Sequence, residues 1–115
     1  MPVDGRITRG DTATLDLIAQ VGGNPVNLDG LTVKFTARYD PADPDAVIQK
    51  STETGGVSVI DAVAGAIRVL IDSADTAALP NRPLYLYFDV EVSDEAGHRL
   101  TAAFGVLEMR QDVTG

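Results

Sequence analysis

The 115-residue sequence contains no cysteine and no tryptophan, a single histidine, and only three tyrosines and three phenylalanines. Without cysteine the chain can form no disulfide and present no thiolate. Its fold is therefore indifferent to redox compartment, and cysteine usage does not locate it. One histidine limits any histidine-based metal site to a single such ligand. No apolar run approaches the roughly 18 residues that span a bilayer, and the N-terminal residues lack the apolar core of a signal peptide. Neither a membrane span nor export by the general route is expected. Basic residues are scarce too, with nine Lys and Arg against 17 Asp and Glu and a net charge of −8. Affinity for nucleic acid comes from cations that displace counterions from phosphate, and an anionic membrane surface makes the same demand. No nucleic-acid or membrane partner is expected.

What is present is a regular alternation of apolar and polar residues, broken by turn chemistry. The length suits one domain, residues 1–115, which can bury roughly two-thirds of its unfolded surface without metals or disulfides. Met1 to Arg9 reads as an arm or a first edge strand. From Thr12 to Val21, Ala13, Leu15, Leu17, Ala19 and Val21 share one face, the period of a half-buried strand. Gly22-Gly23-Asn24-Pro25 and Asn27-Leu28-Asp29-Gly30 are turn signals. Leu31 to Tyr39 alternates most cleanly, with Leu31, Val33, Phe35, Ala37 and Tyr39 inward and Thr32, Lys34, Thr36 and Arg38 outward. The prolines of Asp40-Pro41-Ala42-Asp43-Pro44-Asp45 end that ladder, since proline has no N–H to donate.

Short strands follow over Val47–Thr52 and Val57–Ile60, then a longer one over Ala66–Ile71. Asp72 or Ser73 can cap about one helical turn from Ser73 to Leu79. Leu84, Leu86, Phe88, Val90 and Val92 form the inner row of the penultimate strand, and Leu100–Met109 returns antiparallel. In that last strand Leu100, Ala102, Phe104 and Val106 share a face, while Leu107 and Met109 are apolar on the other. Gly105 is the candidate for a bulge that re-aims it; the alternative is that both faces are covered there. The acids outside Asp16, Asp89, Glu91 and Glu108 fall in turns and termini, which favours solubility and repels like surfaces. The spacing predicts an all-β, immunoglobulin-like β-sandwich of about seven antiparallel strands with one short helical turn. The Cys pair and Trp of antibody domains are absent.

No constellation carries chemistry. His98 follows a turn glycine and has no third group in sequence to orient it as a base. Asp40, Asp43 and Asp45 could offer oxygens to Ca²⁺, but their spacing departs from the EF-hand loop and prolines stiffen it. Asp89 and Glu91 share a strand face about 7 Å apart, without the cleft that glycoside hydrolysis needs. Arg9-Gly10-Asp11 spells an integrin-ligand tripeptide; its plainer reading is a turn entering a strand. No enzyme, cofactor or metal site is expected. The remaining candidates are Tyr85 and Tyr87, which alternate with core residues and so face outward. Tyrosine is enriched at binding hot spots because it buries a large ring and still hydrogen-bonds. Lys34, Arg38 and Arg68 join them as interface candidates if their strands share the sheet; cross-strand packing on a covered face is the alternative.

The order of these motifs resembles a known family. Arg9-Gly10-Asp11-Thr12 opens a strand, and Asn27-Leu28-Asp29-Gly30-Leu31 leads to Phe35 and Ala37. Gly65 precedes Ile67-Arg68-Val69-Leu70-Ile71 and Asp75-Thr76. Tyr87-Phe88-Asp89-Val90, the turn at Gly97 with Thr101, and Asp112-Val113-Thr114 complete the set. In that order they resemble the immunoglobulin-like domain at the N-terminus of phage baseplate upper proteins, over nearly the whole chain. The resemblance implies a non-enzymatic virion structural protein, assembled in the host cytoplasm. Its partners would be other phage structural proteins and copies of itself, in an oligomer or symmetric array. In that family further segments follow the domain, whereas this sequence ends at Gly115. The expectation therefore spans a tail, baseplate or neck adaptor and a capsid decoration protein. The reading from another class is a carbohydrate- or receptor-binding module using the loops Asp40–Asp45 and Asp94–His98.

Overall fold

The structure, a computed structural model, describes residues 3–110. It contains β1 (Val3–Thr8), β2 (Ala13–Ile18), β3 (Gln20–Val21), β4 (Asn24–Pro25), β5 (Thr32–Arg38), β6 (Ile48–Ser51), β7 (Val57–Asp61), β8 (Ala66–Ile71), α1 (Ser73–Ala77), β9 (Leu84–Ser93) and β10 (Arg99–Arg110). Five strands form one sheet in the order β1-β10-β9-β5-β6, and three form a second in the order β2-β8-β7. The two-residue strands β3 and β4 make a small hairpin beside them. One apolar cluster draws on both larger sheets, from Val33, Phe35 and Leu86 on one to Leu17, Val69 and Ile71 on the other. Two sheets over one core is the layering of a β-sandwich.

The seven strands expected from the alternation are β2 and β5 to β10. The excess over about seven consists of β1 and the β3–β4 hairpin. Val3–Thr8 is an edge strand, and it corrects the expectation of a wholly antiparallel fold. It runs parallel to β10, from Val3 opposite Gly105 to Thr8 opposite Arg110. A parallel pair needs a long crossover, and here nearly the whole domain supplies it. Met1 and Pro2, like the Asp112-Val113-Thr114 motif, lie outside the described residues.

β9 sits at the centre of the larger sheet, paired with β10 on one side and β5 on the other. Its inner row, Leu84, Leu86, Phe88, Val90 and Val92, is buried throughout. The Phe88 ring stacks on Phe35 of β5 with centroids 5.3 Å apart. The last strand departs from the expected pattern. Its register shifts between Thr101 and Ala103, not at Gly105. Past that bulge Gly105, Leu107 and Met109 turn inward, while Phe104 and Val106 turn out. One inserted residue reverses the faces of everything after it. Two smaller corrections share a cause: Val21 belongs to the β3 hairpin and Tyr39 lies one residue past β5, so both are exposed.

The helical turn follows Ile71 as the acidic cap predicts, with Asp72 at the N-cap and its N–H bonded to Asp75 Oδ2 at 2.7 Å. Lys50 of β6 reaches the same turn, 2.8 Å from Asp75 and 3.5 Å from Asp72. Burial pulls its pKa down, but the two carboxylates more than offset this and hold it above 10.5. A raised pKa means that the pair stabilises the fold below 10.5 and is lost as pH rises through the shifted value. At the other end of α1, Arg9 donates from Nη2 to Ala77 O at 2.7 Å and from Nε to Leu79 O at 2.8 Å. The buried Thr76 hydroxyl accepts the Gly10 N–H at 2.8 Å. Arg9-Gly10-Asp11 is thus a turn whose arginine caps a helix end.

Gly65 is the glycine the fold can least replace. It is buried with φ +71°, and a Cβ there would lie 2.6 Å from Ala19 O and 3.0 Å from Val26 O. Gly22 has a comparable φ of +61° with nothing within 4 Å. Gly22→Ala is expected to cost only the left-handed backbone term, about 1–2 kcal/mol. Gly65→Ala adds a backbone clash of about 1–3 kcal/mol. Urea unfolding of the two variants should separate their midpoints in that order; equal midpoints would contradict the close approach at Gly65.

Candidate functional site: the outer face of the five-stranded sheet

The same alternation that buries the inner row of β9 turns Tyr85, Tyr87, Asp89 and Glu91 outward. Pairing then fixes their neighbours. Tyr87 lies between Val106 of β10 and Arg38 of β5, and Tyr85 lies opposite Glu108. Phe104 stands opposite Asp89, one step along the same outer row. Tyr85 is 59% exposed, Phe104 51% and Tyr87 39%, so this is an open aromatic surface and not a covered sheet face. A shallow hollow lined by Gly5, Arg6, Tyr85, Val106 and Glu108 marks its β1 side.

Charged groups frame the aromatics in cross-strand pairs. Arg6 Nε donates to Glu108 Oε2 at 2.8 Å, and Arg38 Nη1 to Asp89 Oδ2 at 3.4 Å. Arg99 Nη1 lies 3.9 Å from Glu91 Oε1. Exposed pairs of this kind stabilise a fold by at most about 1 kcal/mol; their larger effect is to orient charge around the rings. The outward side chains of this sheet include Arg6, Lys34, Arg38, Arg99 and Arg110 against Asp89, Glu91 and Glu108, in a chain of net charge −8; Lys50, opposite Phe35, faces the other way toward α1. The sheet is weakly basic on an acidic protein.

The structure brings Tyr85, Tyr87, Lys34 and Arg38 to one face, because β5 and β9 are neighbours. Arg68 does not join them. It lies on β8 in the three-stranded sheet, where its guanidinium grips Asp16 of β2 with Nε–Oδ1 at 2.7 Å and Nη2–Oδ2 at 3.3 Å. Those bonds lower the Asp16 pKa below 3.8 and raise that of Arg68. Outward parity alone groups Arg68 with the tyrosines, because parity cannot tell one sheet from the other. Phe104 and Val106 escape the sequence reading because the observed bulge lies about three residues before the expected one at Gly105, and Arg6 because Met1 to Arg9 reads there only as an arm or edge strand.

The loop candidates are folded onto themselves. Asp40 Oδ1 accepts the Ala42 N–H at 2.9 Å and Asp43 Oδ1 the Asp45 N–H at 3.0 Å, each closing an Asx turn. Asp94 accepts His98 N–H at Oδ1 and contacts its Nδ1 through Oδ2, both at 2.9 Å. The bonds from His98 lower the Asp94 pKa, and His98 itself is exposed in the turn. Among the described residues no group of three or more His, Cys, Asp or Glu is arranged to hold a metal ion.

No protein-family model matches the sequence, and no curated protein matches it. Among solved structures, the fold is shared with the N-terminal domain of phage TP901-1 ORF48. That alignment covers 95% of this chain and 86% of the other, with a TM-score of 0.54 and 17% identity. Murine CRIg aligns over 95% of this chain and 92% of its own at a TM-score of 0.45 and 16% identity, a likeness too slight to build on.

The Arg68 assignment can be checked by titration. A carboxylate with a lowered pKa contributes stability above 3.8 and loses it as pH falls through the lowered value. By carboxyl-detected NMR, Asp16 is expected to titrate below 3.8 and to return to about that value in Arg68→Gln. An unchanged titration in the variant would show that the two groups are not paired in solution.

Proposed function

We propose that this chain is a non-enzymatic structural protein of a phage particle, an immunoglobulin-like β-sandwich that docks on other virion proteins through the outer face of its five-stranded sheet. The observation that carries the reading is the fold shared with a domain of a phage protein over 95% of the chain. The order of sequence motifs, which resembles phage baseplate upper proteins, supports it independently. The role is that of a tail, baseplate or neck adaptor, or of a capsid decoration protein, in a virion assembled in the host cytoplasm. Copies act together as an oligomer or symmetric array, where many weak contacts gain avidity.

The docking face has the composition that interfaces favour: exposed tyrosines and a phenylalanine at the centre, arginines at the rim. Its weakly basic strands on an acidic chain suit an acidic partner surface, which includes the acidic loop ends of a neighbouring copy. A contact between unlike patches on identical subunits is heterologous and closes into rings or stacks into tubes, the geometry of tail and neck assemblies. The reading calls for no cofactor, nucleic acid or membrane. The loop-based carbohydrate or receptor reading has less support, because the carboxylates of Asp40, Asp43 and Asp94 are engaged within their own turns.

Immunogold electron microscopy of phage particles from the source, with antibody to this protein, tests the assignment. Label on head, neck or tail is the expected result, and its position selects among the roles. Unlabelled particles, with the protein abundant in the lysate and its epitope accessible, would remove the structural reading. The Tyr85→Ser/Tyr87→Ser double variant then tests the face. Its incorporation should fall by about tenfold or more while thermal stability changes little, as for most exposed substitutions. Undiminished incorporation would move the interface elsewhere.

A further inference from the structure

The edge of the three-stranded sheet offers a second kind of surface, which meets the aromatic face at Phe104 and does not include Tyr85 or Tyr87. Among the described residues β2 pairs on one side only, with β8. Ala19 N–H donates to Gly65 O at 2.8 Å, which continues the β2–β8 register by one more odd-numbered residue. Backbone groups alternate sides along a strand, so Ala13, Leu15 and Leu17 turn theirs toward β8. Across the sheet, Leu70 N–H donates to Gly56 O at 2.7 Å, in line with the β7–β8 register. That bond gives the even residues of β8 to β7 and agrees with the same alternation. The N–H and C=O groups of Thr14, Asp16 and Ile18 therefore point along the open edge.

A groove of about 690 Å³ runs beside this edge, between β2–β3 and the first half of β10. Leu17, Ile18, Val21, Ala102 and Phe104 line it, and Ile18 and Val21 are 44% and 43% exposed. Among the described residues β1 pairs with β10 from Gly105 onward, and none of them pairs with the first half of β10 on that side. Three other strand edges carry devices that discourage strand addition. β7 is broken by a register shift between Val59 and Asp61, β6 has four residues including Lys50, and β1 carries Gly5 and Arg6 at its centre. β2 reads Ala-Thr-Leu-Asp-Leu-Ile, and its one charge, Asp16, is already neutralised by Arg68 at 2.7 Å.

We propose that β2 accepts an extended segment of a partner protein as a fourth strand of this sheet. The row of outward N–H and C=O groups requires an extended backbone, since only that presents complementary groups at matching spacing. The apolar groove requires apolar side chains at alternate positions, and the absence of uncompensated charge calls for an uncharged segment. The bound strand would cover Ile18.

The probe is a terminally blocked peptide of alternating valine and threonine, long enough to span Ala13–Ile18, added to the full chain. Single-residue hydrogen exchange by NMR reads the result. Amides of Thr14, Asp16 and Ile18 should slow by about tenfold or more on addition, with little change at Leu15 and Leu17, which are already bonded to β8. The same peptide N-methylated on alternate residues, on its bonding side, should give no protection. Thr14→Pro removes an outward N–H while leaving the ladder to β8 intact and should abolish the effect at Asp16 and Ile18. Ile18→Lys supplies an edge charge in case the proline disturbs folding, and should do the same. Tyr85→Ser/Tyr87→Ser should leave the protection unchanged, which separates this site from the docking face. The proposal is overturned by lack of protection at the three outward amides, by equal protection from the N-methylated peptide, by persistence in the Ile18→Lys variant, or by loss in the tyrosine variant.

Discussion

The alternation of β9 is the constraint on which most of this molecule depends. The strand is central in its sheet, so its inner row must meet the core along its whole length, and all five inner residues are buried. At about 1.5–3 kcal/mol for each large apolar side chain, that row alone contributes an amount comparable with the net stability of a whole domain, about 5–15 kcal/mol. A slip of one residue would exchange Leu86 and Phe88 for Tyr85 and Tyr87 and forfeit this burial. The register is therefore tightly held, and with it the position of the outward tyrosines. Core and candidate interface are two faces of one periodicity.

Around β9 the sheet uses a single irregularity to serve two purposes. The bulge between Thr101 and Ala103 lets β10 present Ala102 inward before it and Leu107 and Met109 inward after it. It also places Phe104 and Val106 on the outer face next to the tyrosines. Without the extra residue, one set of apolar side chains or the other would point the wrong way. The second half of β10 then has a straight edge on which β1 lies in parallel, while among the described residues the first half has no neighbour on that side. Closure of the larger sheet and the opening beside β2 follow from the same geometry.

Polar interactions in this fold mostly fasten its ends. Arg9 and Thr76 tie the first turn to the helical turn, and Lys50 ties β6 to the start of that helix through Asp75 and Asp72. Asp40, Asp43 and Asp94 close their own loops. With so much of the polar chemistry engaged locally, the surfaces left for recognition are an aromatic face and a bare sheet edge. As proposed docking sites, both would act by shape and backbone complementarity, without reactive groups.

The sequence by itself determined the strands with strict alternation, the helical turn after Ile71 and the outward aim of Tyr85 and Tyr87, because side-chain parity and turn chemistry are local properties. It also showed that Arg9-Gly10-Asp11 is a turn and that His98 sits in one. The tertiary structure alone decided which strands are neighbours. Outward parity could not tell that Arg68 belongs to the other sheet, where it pairs with Asp16, since both sheets have an outer face. Nor could it locate the bulge, because Ala102-Ala103 and Gly105 both tolerate one and only pairing with β9 selects between them. The parallel docking of Val3–Thr8 on β10 was likewise hidden. A strand's pattern records how deeply each face is buried, while its direction and neighbours depend on where the rest of the chain has gone.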